Sequence, residues 1–229
     1  MSEAASQDPF FIIGTGRCGT TLLQRMLMGH PRISIPPETH FFSRFDPVRV
    51  VGLDPVSDGL VEGYVERCAS HPWFAELGLR RESLQAALDA GTRSARDLFL
   101  WYANALLPDA PARLGEKTPH HEKYTARILD LFPQARFIHI VRDPRDVVVS
   151  LKKEHWMGGE SIQRIAHHVA KVWRRQQDVA ERLGPRVYRV LSYEDLVADP
   201  EAALRELCDF LGEAFDPAML TYHQQQNTG

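Results

Sequence analysis

The sequence contains few residues that could build a disulfide framework or a metal centre. Only three cysteines occur among its 229 residues, at positions 18, 68 and 208, and no two of them form a CxxC pair. An odd number of cysteines at these spacings matches neither a disulfide scaffold nor a structural zinc site. We therefore expect three reduced thiols, no bound metal and a reducing compartment.

Long hydrophobic runs and an excess of positive charge are also missing. No apolar stretch approaches the roughly 18 residues of a membrane-spanning helix, and residues 1–9 do not resemble a secretory leader. The formal net charge is −3, so a broad basic surface for nucleic acid is not expected. These absences predict a soluble, cytoplasmic protein with no membrane span and no nucleic-acid partner. Any anionic ligand must be held by a local cluster of cations.

What is present is an alternation of strand and helix patterns in a globular composition, with 44% hydrophobic and 25% charged residues. Short apolar runs predict strands at 10–13, 33–35, 113–117, 135–141 and 186–191. Helical spacing predicts helices at 20–28, 121–132, 144–153, 161–183, 200–211 and 217–224. The alternation predicts a three-layer α/β domain with a mostly parallel sheet flanked by helices. Residues 48–107 have helical spacing throughout, and we expect them to form a helical insertion in a single domain spanning residues 1–229.

A glycine-punctuated loop, GTGRCGTT at residues 14–21, follows the first predicted strand. It has the frame of the phosphate-binding loop GxxxxGK[ST], except that Thr20 replaces the lysine. Such a loop curls its backbone N–H groups around an anion, and the following helix adds N-terminal donors. Because the missing lysine would contact β- and γ-phosphates, the pattern predicts a ligand with a 5′-phosphate and one further anionic group, held by Arg17. The alternative is an ordinary strand–turn–helix corner.

A second candidate anion site follows the predicted strand at 135–141. Ligands of open parallel sheets bind at the carboxyl ends of the strands, so a cation there is informative. Arg142 stands at that end and Ser150 lies on the next predicted helix, which allows both to reach one phosphate. The alternative interpretation is a surface salt bridge between Arg142 and Asp146, with Ser150 facing solvent.

Two separated segments together resemble the sulfotransferases that use 3′-phosphoadenosine 5′-phosphosulfate (PAPS). FFIIGTGRCGTTLL at residues 10–23 resembles their 5′-phosphosulfate loop, and FIHIVRDPRDVVVS at 137–150 resembles their 3′-phosphate site. SYEDL at 192–196 is similar to a later segment of the family, and residues 17–39 are in register with the tyrosylprotein sulfotransferase-like branch. The resemblance covers the layout of residues 10–211. It implies a P-loop NTPase-like sulfotransferase fold.

The resemblance also implies roles for individual residues. A glutamate at the position of Glu38 is the catalytic base, and a lysine at the position of Lys117 assists the leaving group. Arg142 and Ser150 match the residues that bind the 3′-phosphate, and Tyr193 matches a nucleotide contact. The 5′-phosphosulfate site would comprise Gly16, Arg17, Cys18, Gly19, Thr20 and Thr21, with Arg17 also stabilising charge during transfer.

Alternatives remain for several of these residues. Glu38 follows two prolines that stiffen its loop, but it could instead pair with Arg44 or a helix end. His40 is a substitute base, although we expect it to orient Glu38 or touch the substrate. Lys117 could pair with a neighbouring glutamate, either Glu116 or Glu122. Cys18 stands where the family usually has serine, and we interpret it as a packing residue rather than a nucleophile. Helical spacing also predicts that Trp173 is core.

Together these patterns predict an enzyme that transfers a sulfuryl group from PAPS to an acceptor hydroxyl without a metal and releases 3′-phosphoadenosine 5′-phosphate (PAP). A P-loop kinase or NTPase and a non-catalytic nucleotide-binding protein are the alternatives. The acceptor could be a small molecule, a carbohydrate or a peptide, and the sequence does not indicate the oligomeric state. Many relatives continue with a Gly- and Lys/Arg-containing lid over the cofactor. No such segment follows residue 224 in this sequence, so we expect the lid to be either absent from the protein or truncated from this sequence.

Overall fold

The computed structural model describes residues 8–109, 112–155 and 157–224. Five strands form one sheet in the order β2-β3-β1-β4-β5, and every neighbouring pair is parallel. The strands are β1 (Phe10–Ile13), β2 (Ile33–Ser34), β3 (Arg113–Glu116), β4 (Arg136–Val141) and β5 (Tyr188–Ser192). The predicted parallel α/β sheet is therefore confirmed.

Eleven α-helices connect and cover these strands in the described part of the chain. They are α1 (Thr20–Met28), α2 (Pro47–Val50), α3 (Val61–Ala69), α4 (Pro72–Glu76), α5 (Arg81–Asp89), α6 (Ala95–Ala105), α7 (Thr125–Leu131), α8 (Pro144–Lys152), α9 (Ile162–Leu183), α10 (Tyr193–Ala198) and α11 (Pro200–Leu211). Helical segments of 3₁₀ or π type occupy Phe41–Phe45, Asp58–Leu60, His121–Lys123 and Pro217–Gln224. Across the described ranges, no helix is both long enough and apolar enough to cross a bilayer.

The helix predicted at 121–132 is the clearest error in the secondary structure. The structure divides it into a 3₁₀ turn, His121–Lys123, and helix α7 from Thr125, because Tyr124 between them has φ −115° and ψ 10°. Helix α10 was not predicted. It begins directly after β5, where the Ser192 side chain accepts a hydrogen bond from the Asp195 backbone N–H and so caps the helix.

Both faces of the sheet are buried, which explains why its strands are almost continuously apolar. Alternate side chains of β1 point to opposite faces, so Phe10 and Ile12 join one core cluster and Phe11 and Ile13 join another. The first cluster packs the sheet against α1, α8, α9 and α11. The second packs it against the helical region predicted at 48–107. The result is the three-layer arrangement that the alternation of strands and helices predicts.

Aromatic rings join the helical region to the sheet. Phe99 of α6 is fully buried, and its ring centroid lies 5.8 Å from that of Phe11 in β1 and 5.2 Å from that of Phe132. Its ring also lies 5.5 Å from Phe41 and 5.4 Å from Phe42, in the turn that follows residues 38–40. The helices of this region therefore support the segment that carries Glu38.

We expect Phe99→Ala to destabilise the protein by about 3–5 kcal/mol, because it removes a buried ring and leaves a cavity between α6 and β1. Chemical denaturation followed by circular dichroism measures the free energy of unfolding. Val197→Ala, at a side chain that is 52% exposed, is the control and should change that free energy by less than about 0.5 kcal/mol. Equal stabilities of the two variants would contradict this account of the core.

Candidate active site

The loop after β1 requires glycine at two positions. A Cβ atom on Gly14 would lie 2.5 Å from the Cys18 sulfur and 2.9 Å from the Ile140 carbonyl oxygen. Gly19 has φ +100°, and a Cβ there would lie 2.5 Å from a ring carbon of Tyr193. Arg17 also adopts a left-handed conformation, with φ 73°, which is uncommon for a residue with a side chain. The two glycines therefore permit the close approach of the loop to β4 and α10.

Helix α1 begins directly after this loop, and its N-terminus faces the same region. Its N-cap residue is Gly19, which offers no side-chain hydrogen bond to the first turn. The first backbone N–H groups of a helix lack partners within the helix and carry partial positive charge. Thr20 and Thr21 are the first two residues of this helix. Its N-terminus and the loop can therefore bind an anion together.

The second cluster lies beside the first, at the same edge of the sheet. Strand β4 pairs with β1 in parallel, and Arg142 follows it directly. Asp143 then caps α8 by accepting a hydrogen bond from the Arg145 backbone N–H at 2.8 Å, which directs the helix that carries Ser150. The Nε atom of Arg17 donates to Ser150 Oγ at 3.1 Å. The two predicted anion sites are therefore in direct contact.

Both arginines of these clusters also contact carboxylates. Arg142 Nη2 lies 3.2 Å from Asp146 Oδ2, which is the salt bridge proposed as the alternative to a phosphate site, and Arg17 Nε lies 3.3 Å from Glu154 Oε1. Each pair has one side chain that is about half exposed or more, and ion pairs in contact with solvent contribute about 0–1 kcal/mol, so a bound phosphate can replace them at little cost. The Arg142 guanidinium carbon lies 4.7 Å above the Tyr193 ring centroid, which fixes its direction by a cation–π contact.

Glu38 and Lys117 form an ion pair where the chain after β2 meets the chain after β3. Lys117 Nζ donates to Glu38 Oε1, and His40 Nε2 lies 3.5 Å from Glu38 Oε2. Lys117 is buried, whereas Glu38 is 35% exposed. Glu38 therefore does not pair with Arg44, and Lys117 is not a surface lysine. The structure thus brings Glu38 and His40, from the segment after β2, together with Lys117, from the segment after β3.

The electrostatics of Glu38 keep its carboxyl group ionised. Burial alone raises the pKa of Glu38, but the neighbouring His40 side chain and the hydrogen bond and charge of Lys117 outweigh it. The net effect holds the pKa of Glu38 below its ordinary value of 4.5. At neutral pH the oxygen atoms of this side chain are thus proton acceptors beside a buried cation.

Glu116, at the end of β3, connects these segments and is not among the site residues predicted from the sequence. Its carboxylate is fully buried, and Oε1 accepts hydrogen bonds from the hydroxyls of Thr39, at 2.9 Å, and of Thr118. The other oxygen, Oε2, lies 2.6 Å from His121 Nδ1. The sequence signal was Glu116 directly before Lys117, but that spacing suggested only a neighbouring charge.

The prediction that Trp173 belongs to the core was wrong. The side chain is 43% exposed, because the buried stripe of α9 runs through Val169, Val172 and Gln176 and leaves Trp173 at its margin. Trp173 lines a cleft with Thr15, Cys18, His139, Arg142 and Gln176. An aromatic ring therefore stands beside the second anion cluster.

Nearly the whole chain is similar to known proteins. The sequence profile of the sulfotransferase family matches residues 9–217. The omega-hydroxy-beta-dihydromenaquinone-9 sulfotransferase of Mycobacterium bovis is 27% identical, over 97% of this chain and 68% of that protein. The protein-tyrosine sulfotransferase of Drosophila melanogaster is 26% identical, over 94% of this chain and 40% of that protein.

Solved structures agree with these relatives. The sulfotransferase domain from the curacin biosynthetic pathway superposes with a TM-score of 0.64 and 27% identity, covering 96% of this chain and 80% of that domain. The chain spans from 27% to 69% of the lengths of the curated relatives that it matches. The likeness therefore covers nearly all of this chain but a variable share of each relative.

Cys18 lies inside the first loop but is not placed as a nucleophile. Its side chain is 1% exposed, and its sulfur donates to the Thr15 carbonyl oxygen at 2.6 Å. Burial raises the pKa of the Cys18 thiol to about 12, and burial also raises the pKa values of Cys68 and Cys208 to about 11. A reactive cysteine needs a lowered pKa and access to solvent, and none of the three has both.

We expect the folded protein to show no rapidly reacting thiol with Ellman's reagent at pH 8. A pKa of about 12 leaves only about one Cys18 thiol in ten thousand ionised at that pH. The same sample in 6 M guanidinium should release three equivalents, and this denatured reaction is the control for the total. A fast stoichiometric reaction of one thiol in the native protein would contradict the burial of Cys18.

Proposed function

The chain belongs to the sulfotransferase family, and from this we propose that it transfers a sulfuryl group from PAPS to an acceptor hydroxyl. The observation that carries the proposal is the contact between Arg17 and Ser150, which joins the two predicted anion clusters at one edge of the sheet. PAPS has anionic groups at both its 5′ and 3′ positions, so adjacent clusters match its two ends. The Glu38–Lys117 pair supplies a base and a cation at the same edge.

The residues of both clusters suit the two ends of this donor. The first loop and α1 offer backbone donors, an uncapped helix start and the Arg17 guanidinium to the 5′-phosphosulfate. The second offers Arg142, whose Nε atom is buried without a hydrogen-bond partner among the described residues, together with the Ser150 hydroxyl. Tyr193 presents its ring beside Arg142 for contact with the nucleoside. The proposed binding residues are Gly16, Arg17, Cys18, Gly19, Thr20, Thr21, Arg142, Ser150 and Tyr193.

The reaction forms a bond between the acceptor oxygen and sulfur, and it breaks the bond between sulfur and the oxygen that bridges to the 5′-phosphate. The acceptor loses its proton and PAP leaves with the bond electrons. In this proposal Glu38 accepts the proton, since it is ionised and its exposed fraction leaves it accessible. Lys117 and Arg17 face the developing negative charge, where fixed cations stabilise a transition state best. His40, whose Nε2 atom lies 3.5 Å from the second Glu38 oxygen, orients this carboxylate.

The rival functions have no specific observation in their favour. A kinase or NTPase would use a lysine at the position of Thr20, and the family profile points to sulfuryl rather than phosphoryl transfer. A non-catalytic nucleotide-binding protein would not need Glu38 and Lys117 in contact beside the anion clusters. Because the sulfuryl group carries less charge than a phosphoryl group, we also propose that transfer needs no metal ion.

The acceptor is proposed only as a class. The relatives named above act, by their names, on protein tyrosine and on a hydroxylated menaquinone, so the family does not fix one acceptor. We propose an acceptor that presents a hydroxyl on a small molecule, a carbohydrate or a peptide. The test measures transfer of radiolabelled sulfate from [³⁵S]PAPS to a library of tyrosine peptides, phenols, sugars and hydroxylated lipids. Transfer in buffer that contains EDTA identifies the acceptor class and shows that no metal ion is needed.

Arg142→Ala should weaken PAP binding by about 10- to 100-fold, because it removes charge-assisted hydrogen bonds to the 3′-phosphate. It should also remove the preference of the protein for PAP over AMP. Isothermal titration calorimetry with both nucleotides, and with ATP and Mg²⁺, gives the dissociation constants. The matched control is Arg145→Ala in the same segment, at a side chain that is 88% exposed, and it should stay within about twofold. A wild type that binds PAP and AMP equally would contradict the assignment.

Glu38→Gln should lower the turnover of [³⁵S]PAPS by about 100- to 10,000-fold, the usual contribution of a general base. The dissociation constant of PAP should change by less than about threefold, because Glu38 is not placed in either anion cluster. Glu82→Gln, at a side chain that is 77% exposed, is the matched control and should leave turnover unchanged. If Glu38→Gln transfers sulfate at the wild-type rate, Glu38 is not the base.

A further inference from the structure

A buried carboxylate lies directly behind the Glu38–Lys117 pair. Glu116 is the last residue of β3, and its side chain has no exposure to solvent. Strand β3 pairs with β1 at this point, with Glu116 in register with Phe11. A carboxylate without partners is strongly destabilising at such a position, so the contacts of Glu116 require an explanation.

The contacts of Glu116 reach both segments of the proposed catalytic pair. Its Oε1 atom accepts a hydrogen bond from the Thr39 hydroxyl at 2.9 Å and another from the Thr118 hydroxyl. The Thr118 oxygen in turn accepts a hydrogen bond from the His40 backbone N–H at 3.3 Å. Thr39 is the neighbour of Glu38 and Thr118 is the neighbour of Lys117. One carboxylate oxygen therefore joins the two segments that carry the proposed base and cation.

The second oxygen of Glu116 faces His121. Its Oε2 atom lies 2.6 Å from His121 Nδ1, and both side chains are fully buried. Burial alone raises the pKa of Glu116, but the adjacent His121 side chain and the two threonine hydroxyls outweigh it, so the pKa lies below the ordinary value. An ionised carboxylate is a stronger acceptor than a neutral one, which strengthens its hold on Thr39 and Thr118.

We propose that Glu116 is a positioning residue for sulfuryl transfer, which sets the separation of the Glu38 carboxylate and the Lys117 ammonium through Thr39 and Thr118. This inference rests on the proposed function. Glu116 contacts neither the donor nor the acceptor, because it is enclosed by protein. A displacement of about 1 Å in a catalytic group can lower the rate about a hundredfold, so the hydrogen bonds of Glu116 should act on turnover rather than on binding.

The test uses the full chain and four variants. Glu116→Ala removes the carboxylate, and Thr118→Val removes one hydroxyl from it at nearly constant volume. Thr118→Ser restores the hydroxyl, and Thr125→Val is a matched control at another buried threonine, in α7. The turnover number and KM with [³⁵S]PAPS and the best acceptor of the library are measured, with PAP affinity by calorimetry and stability by chemical denaturation. Because Glu116→Ala can fail to fold, Thr118→Val carries the decision.

The expected result is a loss of turnover without a loss of binding. Thr118→Val should lower kcat by about 10- to 100-fold while KM for PAPS and PAP affinity change by less than about threefold. Thr118→Ser and Thr125→Val should stay within about threefold of the wild type in kcat. Glu116→Ala, where it folds, should lose at least as much turnover as Thr118→Val.

Two results would overturn the inference. The first is an unchanged kcat in Thr118→Val. The second is a parallel fall of kcat, affinity and stability that Thr118→Ser does not rescue, since that pattern describes general damage to the fold. A wild type that neither binds PAP nor transfers sulfate from [³⁵S]PAPS would instead overturn the proposed function and the inference with it, before any variant is compared.

Discussion

Strand β1 pairs in parallel with β3 on one side and with β4 on the other, and the candidate site depends on this arrangement. Parallel strands end at the same edge of a sheet, so the segments that follow these three strands meet there. They contribute the glycine loop at 14–19, Lys117 and Arg142. Glycine at positions 14 and 19 allows the loop to approach β4 and α10 closely enough for the clusters to touch. Because these short, mostly buried strands pair in parallel, Arg17, Lys117 and Arg142 come from three distant parts of the sequence to one edge of the sheet.

The charges of this group are local in a protein whose net charge is −3. Each cation pairs with a carboxylate, namely Arg17 with Glu154, Arg142 with Asp146 and Lys117 with Glu38. Each of the first two pairs has one side chain that is about half exposed or more, so exchanging it for the oxygen atoms of a bound anion costs little. The third is more buried and supported by the carboxylate of Glu116. In the proposed function, the site therefore combines replaceable contacts for a nucleotide with a fixed pair suited to accepting a proton and stabilising negative charge.

The sequence predicted the fold and the family correctly, because strands, glycine loops and helix caps are local signals. It also selected Glu38 and Lys117, which form an ion pair, and Arg17 and Ser150, which are joined by a hydrogen bond, while their roles stay predictions. It missed Glu116 because a glutamate beside a lysine has no local signal of burial. The hydroxyls that donate to its carboxylate belong to Thr39, 77 positions away, and to Thr118, two positions away. It placed Trp173 in the core because helical spacing cannot locate the margin of a buried stripe.

In the proposed function, one nucleotide contacts both cation clusters at once. A crystal structure of the protein with PAP tests this most directly. We expect the 5′-phosphate to lie on the backbone of the 14–19 loop and the Arg17 guanidinium, with the 3′-phosphate on Arg142 and Ser150. The carboxylates of Glu154 and Asp146 should then be displaced from the two arginines. PAP bound at another place, or bound to only one of the two clusters with its second phosphate in solvent, would contradict the account.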